Sequence, residues 1–157
     1  MAITQSMTTA FKGSILTAVH DFRSTGGDTF KIALYTSSAT IDANTTAYTS
    51  SNEVTGTNYT AGGNTLTSPN VAVTNTSTSA GTGFVDFADT TWTTATITAR
   101  GALIYNNTPS ANNYANVLVA NASVCALDFG ADKTSTAGDF TIVFPTADAT
   151  NAIIRIA

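Results

Sequence analysis

Apolar residues recur at three- and four-residue steps near the N-terminus and in alternation along much of the remaining chain. The first pattern is typical of an amphipathic helix and predicts one over 3–22. Thr4 has a side-chain oxygen suited to an N-cap, and Gly26-Gly27 supplies a helix stop. The apolar positions of this helix are Ile3, Met7, Phe11, Ile15, Val19 and Phe22, with Leu16 and Ala18 widening the stripe. We expect the helix to cap one open end of a sheet structure or to lie across a sheet face.

Alternating and short continuous apolar runs predict about eight strands in the rest of the chain. A half-buried strand is predicted over Asp28–Ser37, and the strongest β pattern covers Thr94–Asn106, where Gly101 marks a bulge or a close packing point. Trp92 is placed in a threonine-rich link, and a loop is predicted from Phe129 to Gly138. The other predicted strands are Asn64–Val73 (with Pro69 indicating an edge or a bulge), Gly83–Ala88, Ala115–Leu127 as one long or two short strands, Asp139–Phe144 and Asn151–Ala157.

Residues 38–63 are predicted to form a long polar excursion, with a short strand around Ala47–Thr55. Its isolated apolar residues are Ile41, Tyr48, Val54 and Tyr59. Amphipathic tyrosine rings are suited to pin such a segment to the body of a protein. Long loops in compact domains are often functional or ordered by a partner, so the excursion and the helix are predicted contact surfaces. The candidate interface residues are Ile3, Met7, Phe11, Tyr48, Tyr59 and Trp92.

Together these patterns predict a single all-β domain over 1–157. The expected fold is an antiparallel β-sandwich or jelly-roll-like domain over 28–157, preceded by one N-terminal amphipathic helix. Threonine makes up roughly a fifth of the chain. Because threonine is β-branched and suits a pleated, half-exposed surface, this bias favours sheet over disorder.

The charge content narrows the classes of partner. Charged residues are 10% of the chain and the net charge is −4, whereas soluble domains average about 25% charged residues. The few basic residues are scattered, so we expect no nucleic-acid binding, which needs a clustered basic face, and no docking on anionic membrane. Cys125 lies alone in an apolar run and predicts a buried thiol. The N-terminus lacks a signal-peptide pattern and no apolar run reaches spanning length, which favours folding in the cytoplasm.

Few residues offer reactive chemistry. His20 falls on the expected last turn of the helix, where a cation complements the dipole, and one histidine with one cysteine cannot supply a usual zinc site. Glu53 is the only glutamate, which leaves glycoside hydrolysis without an acid–base pair. The aspartates considered for a cation are Asp86 with Asp89, and Asp128, Asp132 and Asp139 around a glycine-containing loop; they lack EF-hand spacing. We therefore expect no enzymatic activity, no cofactor and no metal.

Several segments resemble small virion proteins of tailed bacteriophages, particularly phages of cyanobacteria and other aquatic bacteria. The resemblance covers nearly the whole chain and is carried by AITQSMTTAFKGSILTAVHDF, TFKIALYTSSATIDANTTAYT, YTAGG, ARGALIYN and DKTSTAGDFTIVFPTADATNAIIRIA. It implies a structural protein of the virion, above all a capsid decoration (cement) protein that binds the major capsid protein. By analogy with such proteins, a homo-oligomer is expected, with a trimer favoured.

Two other classes remain open at this point. A tail-fibre or receptor-binding component would use exposed aromatic rings on Ala43–Tyr59 and around Trp92 to stack on sugars. A carbohydrate-binding or adhesive β-sandwich unconnected to phage would normally be secreted, and the absent signal-peptide pattern disfavours it.

Overall fold

The computed structural model describes residues 2–67, 70–73, 81–108, 120–148 and 150–156. Its elements in chain order are β1 (Ser6–Met7), α1 (Thr9–Leu16), β2 (Phe30–Tyr35), β3 (Asn64–Thr65), β4 (Asn70–Val73), β5 (Gly83–Asp86), β6 (Thr90–Asn106), β7 (Ser123–Ile142) and β8 (Ile154–Ile156). Neighbouring strands within each sheet are antiparallel. The predicted all-β antiparallel fold with one N-terminal helix is therefore confirmed.

The strands form two sheets. One has five strands in the order β1-β7-β6-β2-β3, and the other has three in the order β4-β5-β8. The longest pairing joins β6 to β7, from Thr90 opposite Ile142 to Tyr105 opposite Ser123. Side chains of both sheets share one apolar cluster, in which Val85 and Ile154 of the small sheet belong with Ile32 of the large one. Burial of this shared cluster holds the two sheets together.

The large sheet also buries part of its second face. Ala33 and Tyr35 of β2 belong to a separate cluster that is covered by Ile3, Ile41 and Tyr48. The alternation in β2 was expected to leave one face in water, and that prediction is wrong. The N-terminal segment and the 38–63 excursion supply the missing layer, which a period-two pattern cannot reveal.

The helix is much shorter than predicted. It covers Thr9–Leu16, and Thr8 rather than Thr4 is its N-cap, with Thr8 Oγ1 accepting from Phe11 N at 3.2 Å. The residues before it are extended, because Ser6 and Met7 pair with β7 and Ile3 bridges to Ile41. Strand pairing at a sheet edge thus overrides the helical spacing of the N-terminal apolar residues.

The helix ends at Leu16, ten residues before the predicted glycine stop begins at Gly26. Ala18 adopts a left-handed conformation with φ 55°, and the chain leaves the helix there. Gly26-Gly27 instead belongs to a turn closed by Asp28 N donating to Asp21 O at 2.8 Å. The buried side of the helix is also narrower than the predicted apolar stripe, since Phe11 is 1% exposed but Leu16 is 86% exposed.

Three predictions about strands and the links between them are wrong. The loop predicted from Phe129 to Gly138 is part of β7, which continues through both glycines because bulges absorb the irregular residues. Trp92 lies inside β6, and the strand predicted over Asn64–Val73 is divided between β3 and β4, which belong to different sheets. The part of the predicted Ala115–Leu127 strand before residue 120 lies outside the described residues.

The prediction for Gly101 is confirmed. The β6–β7 register shifts between Ala99 and Gly101. A Cβ atom at Gly101 would lie 2.4 Å from Leu127 O and 2.9 Å from Ile3 Cδ1. The missing side chain therefore lets the N-terminal segment pack directly on the sheet.

We predict that Phe11→Ala lowers the free energy of unfolding by about 3–5 kcal/mol, because it leaves a cavity among buried aromatic rings. Urea denaturation followed by the fluorescence of the single Trp92 measures this. Leu16→Ala on the same helix is the matched control and should change stability by less than about 0.5 kcal/mol. Equal effects of the two substitutions would contradict the assignment of Phe11 to the core.

Candidate functional site

The candidate interface residues take part in the interior of the single chain. Ile3, Phe11 and Trp92 are buried, and Met7, Tyr48 and Tyr59 are partly buried against the apolar clusters. Ile3 and Tyr48 belong to the cluster under the excursion, whereas the other four belong to the cluster between the sheets. The expectation of an exposed Trp92 is wrong, since only 4% of this residue is accessible.

A buried carboxylate organises the excursion. Glu53 is 7% exposed, and its Oε2 accepts from the Tyr48 hydroxyl at 2.7 Å. Its Oε1 accepts from the Tyr59 hydroxyl and from the Gly62 N–H, both at 2.7 Å. Three donors thus replace the water that the carboxylate loses on burial.

The surrounding tyrosine hydroxyls extend this network into the sheet and back into the excursion. Tyr59 OH also accepts from Leu34 N at 2.8 Å. Tyr35 donates to Thr49 O at 2.6 Å, and Tyr105 donates to Gly62 O at 2.8 Å. The Tyr48 ring stacks on the Tyr105 ring with centroids 4.7 Å apart. The tyrosines therefore join the excursion to β2 and β6, a fixing role that the sequence predicted for Tyr48 and Tyr59.

Burial keeps these hydroxyls protonated. It is the main cause that raises the pKa of Tyr48 and of Tyr59, and hydrogen bonding to the Glu53 carboxylate raises both further. Burial also raises the pKa of Tyr105 to about 12, with a further contribution from the Glu53 charge. The phenols therefore keep their protons at neutral pH, and each can donate a hydrogen bond.

The organising role of Glu53 was not predicted, because this lone glutamate of the polar excursion was considered only as one half of an acid–base pair. The available signal was a lone glutamate in a charge-poor chain, flanked within the same excursion by two tyrosines. A carboxylate in such a setting is buried only where donors converge on it.

His20 lies in an aromatic pocket beyond the end of the helix. Its ring centroid is 5.0 Å from that of Phe11 and 6.3 Å from that of Phe30. Asn106 Nδ2 lies 3.2 Å from His20 Nδ1 and donates to Asp28 Oδ2 at 2.6 Å. Burial lowers the pKa of His20 to about 4, although the Asp28 charge opposes that shift. The predicted role as a cation at the helix C-terminus is wrong, because the helix has already ended and the imidazole is neutral.

The other candidate groups occupy structural positions. Cys125 is fully buried, which raises the pKa of its thiol to about 12. Asp128 pairs with Arg100 at 3.1 Å, and Asp139 accepts from the Thr94 N–H at 3.1 Å. Among the described residues, no group of three or more His, Cys, Asp or Glu side chains is placed to hold a metal ion. No helix in that part of the chain is long and apolar enough to cross a membrane.

Exposed threonines lie along one side of the β6–β7 pair, and we call this set of side chains the threonine face. It comprises the exposed residues Thr91, Thr96, Thr98, Thr134 and Thr141. Thr91 lies opposite Thr141 and Thr98 opposite Thr134, with 2.9 Å between the hydroxyl oxygens in each pair. On the reverse side of β6, Trp92, Ala95 and Ile97 are buried. The threonine face is therefore the exposed side of a strand pair whose other side packs into the core.

Comparison with models of known protein families, with curated proteins and with solved structures finds no match to this chain.

We predict that Glu53→Ala lowers the free energy of unfolding by about 3 kcal/mol or more, because the Gly62 N–H and two phenols lose their acceptor. Tyr48→Phe removes one of these bonds and should cost about 1 kcal/mol. Urea denaturation measures both. Asp42→Ala, which removes an acceptor in a local turn of the same excursion, is the control. A cost for Glu53→Ala no larger than that for Asp42→Ala would show that the carboxylate does not hold the excursion.

We also predict that stability falls as the pH is lowered from about 6.5 to about 4, since the unfolded chain binds a proton at His20 that the folded chain excludes. The pKa difference limits this loss to about 3 kcal/mol, less what partial exposure screens. Denaturation at pH 7 and at pH 5 measures it, and His20→Gln should reduce the difference between the two pH values. Parallel pH profiles for the parent and the variant would refute the role of His20.

Proposed function

We propose that this chain is a structural protein of a bacteriophage virion, and specifically a capsid decoration protein that binds and stabilises the lattice of the major capsid protein. The proposal starts from the resemblance of its segments to small virion proteins of tailed phages. The observation that carries it is the threonine face, a set of exposed threonine side chains on a sheet backed by buried residues.

A neutral hydroxyl surface is suited to a broad contact with another protein. Threonine hydroxyls donate and accept hydrogen bonds, and partly wet interfaces depend on many such bonds. The five threonines carry no charge, so covering their side chains does not require those groups to lose the water of an ion. The cross-strand pairs Thr91–Thr141 and Thr98–Thr134 already orient four of its hydroxyls. Binding therefore costs little additional side-chain ordering at these positions.

The interior supports a passive building role. Glu53 and its tyrosine partners lock the excursion onto the sheet, and the thiol of Cys125 is enclosed. A particle protein present in many copies needs a body that resists unfolding and proteolysis, which such a locked structure provides. The partners under this proposal are the major capsid protein or other virion proteins and further copies of the chain, with a trimer favoured by analogy. Nucleic acid is disfavoured as a partner because the chain has only six Lys and Arg residues.

We predict that Thr98→Glu combined with Thr134→Glu weakens binding to capsids at least about tenfold, equivalent to about 1.4 kcal/mol, because two carboxylates must lose water at the contact. Co-sedimentation with capsids assembled without the protein measures binding. Ser24→Glu with Thr25→Glu adds the same charge to an exposed turn and should leave binding unchanged. If both double variants bind like the parent, the threonine face is not the contact surface.

Labelled antibody on intact particles separates head from tail. The decoration proposal predicts label distributed over the capsid, because a lattice offers many equivalent sites. Label confined to the tail would reject it in favour of the fibre or receptor-binding alternative, and unlabelled particles would reject both.

A further inference from the structure

The outer edge of β7 is unusually long and open. In the part of the chain that the structure describes, its only sheet partner on that side is β1, which pairs with Cys125 and Ala126. From Leu127 to Ile142, β7 is the edge of the five-stranded sheet. Strands average about five to six residues, so this open stretch is long for an unpaired edge.

The corresponding stretch of β6 is covered on its far side. The Asn58 amide donates to Thr93 O at 3.3 Å and to Thr94 O at 3.0 Å. The Asn64 amide donates to Thr91 O at 3.2 Å. The excursion therefore blocks the β6 edge. On β7 the side chains that bond to the backbone come from the β6–β7 pair itself, with Asp128 accepting from the Gly130 N–H and Thr96 from the Ala137 N–H, both at 2.9 Å.

A groove of about 450 Å³ lies beside the open edge. Phe129, Phe140 and Ile142 provide its apolar lining, and the last of these is only partly buried. An exposed strand edge next to an apolar groove is a template on which another chain can add a strand. A second copy of this chain carries the same open edge and could therefore add to it.

Two backbone irregularities interrupt this template. Residues 129–132 stand opposite the single residue Arg100, and Gly130 within them has φ 75°. Thr136 and Ala137 stand opposite Thr96, and Ala137 has φ 49°, which costs energy in a residue with a Cβ. Bulges of this kind twist an edge and break the regular order of its donors and acceptors.

Charges occupy the remaining regular stretches. Lys133 lies opposite Ala99, which places it on the groove side of the sheet, and it lines the groove together with Asp139. Among the described residues, Lys133 has no acidic partner within ion-pair distance. A strand added over the groove would have to remove water from this ammonium group, which is costly without a matching carboxylate.

We propose that β7 has a guarded edge: the insertion at 129–132, the bulge at Thr136–Ala137, and the charge of Lys133 prevent a second copy from pairing with it. The guard explains how β7 can have an open edge of this length without pairing with the same edge of another copy. It does not depend on the proposed virion function, because it concerns only how copies of this chain avoid one another.

The test is a variant in which Ala137 is deleted and Lys133 is replaced, Lys133→Val. Deleting Ala137 restores equal residue counts opposite Thr96, and the substitution removes the charge. We expect the weight-average mass, measured by light scattering over a concentration series, to rise to at least twice that of the parent. Amide hydrogen exchange in residues 138–142 should slow in step with that rise.

The matched control deletes Ser24 in an exposed turn and carries Lys12→Val on the helix. It should keep the parent's mass and exchange, because residues 127–142 are unchanged. A folded edge variant that also matches the parent would overturn the proposal. Should Trp92 fluorescence show that the deletion prevents folding, Lys133→Val alone decides: weaker association with concentration supports the guard, and none overturns it.

Discussion

The Glu53 carboxylate accepts hydrogen bonds from Tyr48, Tyr59 and the Gly62 backbone, and the second layer of the fold depends on this convergence. Without it, the polar excursion would have little apolar area with which to pay for its ordering. The four surrounding tyrosines connect the same point to β2 and β6. One charged group therefore fixes the longest irregular segment of the chain onto the sheet, through bonds that are strong because one partner is ionised.

The large sheet differs along its length. Near Ala33, Leu103 and Tyr105 one of its faces is covered and closely packed. Along the outer part of β6 and β7 the sheet presents exposed threonine side chains instead. The covered part gives rigidity, and the threonine side chains can form hydrogen bonds with another protein without being charged themselves. The proposed role in a virion rests on this combination of a locked interior and a threonine-rich exterior.

The sequence predicts some parts of this fold better than others. The alternation in Phe30–Tyr35 and the pattern around Gly101 predict strands that the structure confirms, because side-chain burial there follows the sheet's period of two. The N-terminal spacing of Ile3, Met7 and Phe11 predicts a helix that forms only from Thr9 onward. Ser6 and Met7 instead find strand partners more than one hundred positions away, and local periodicity carries no information about such partners.

The candidate site shows the same limit. Tyr48 and Tyr59 were expected to pin the excursion, which they do, yet their common acceptor Glu53 was considered only as one half of a missing acid–base pair. Trp92 was expected in a link because threonines surround it, but those threonines alternate across a strand and turn the indole inward. Polar composition at these positions reflects the exposed face of a strand rather than a loop. A single sequence does not distinguish the two when most polar residues are threonine.

The central claim is that the chain works as a building block through contact of its sheet surface with neighbouring virion proteins. A cryo-electron microscopy map of the intact particle tests this most directly. The account predicts density for this chain on the capsid, with the threonine face turned toward the capsid protein and the outer edge of β7 unpaired with another copy. A map with the threonine face open to solvent, or with no density for the chain on the head, would contradict it.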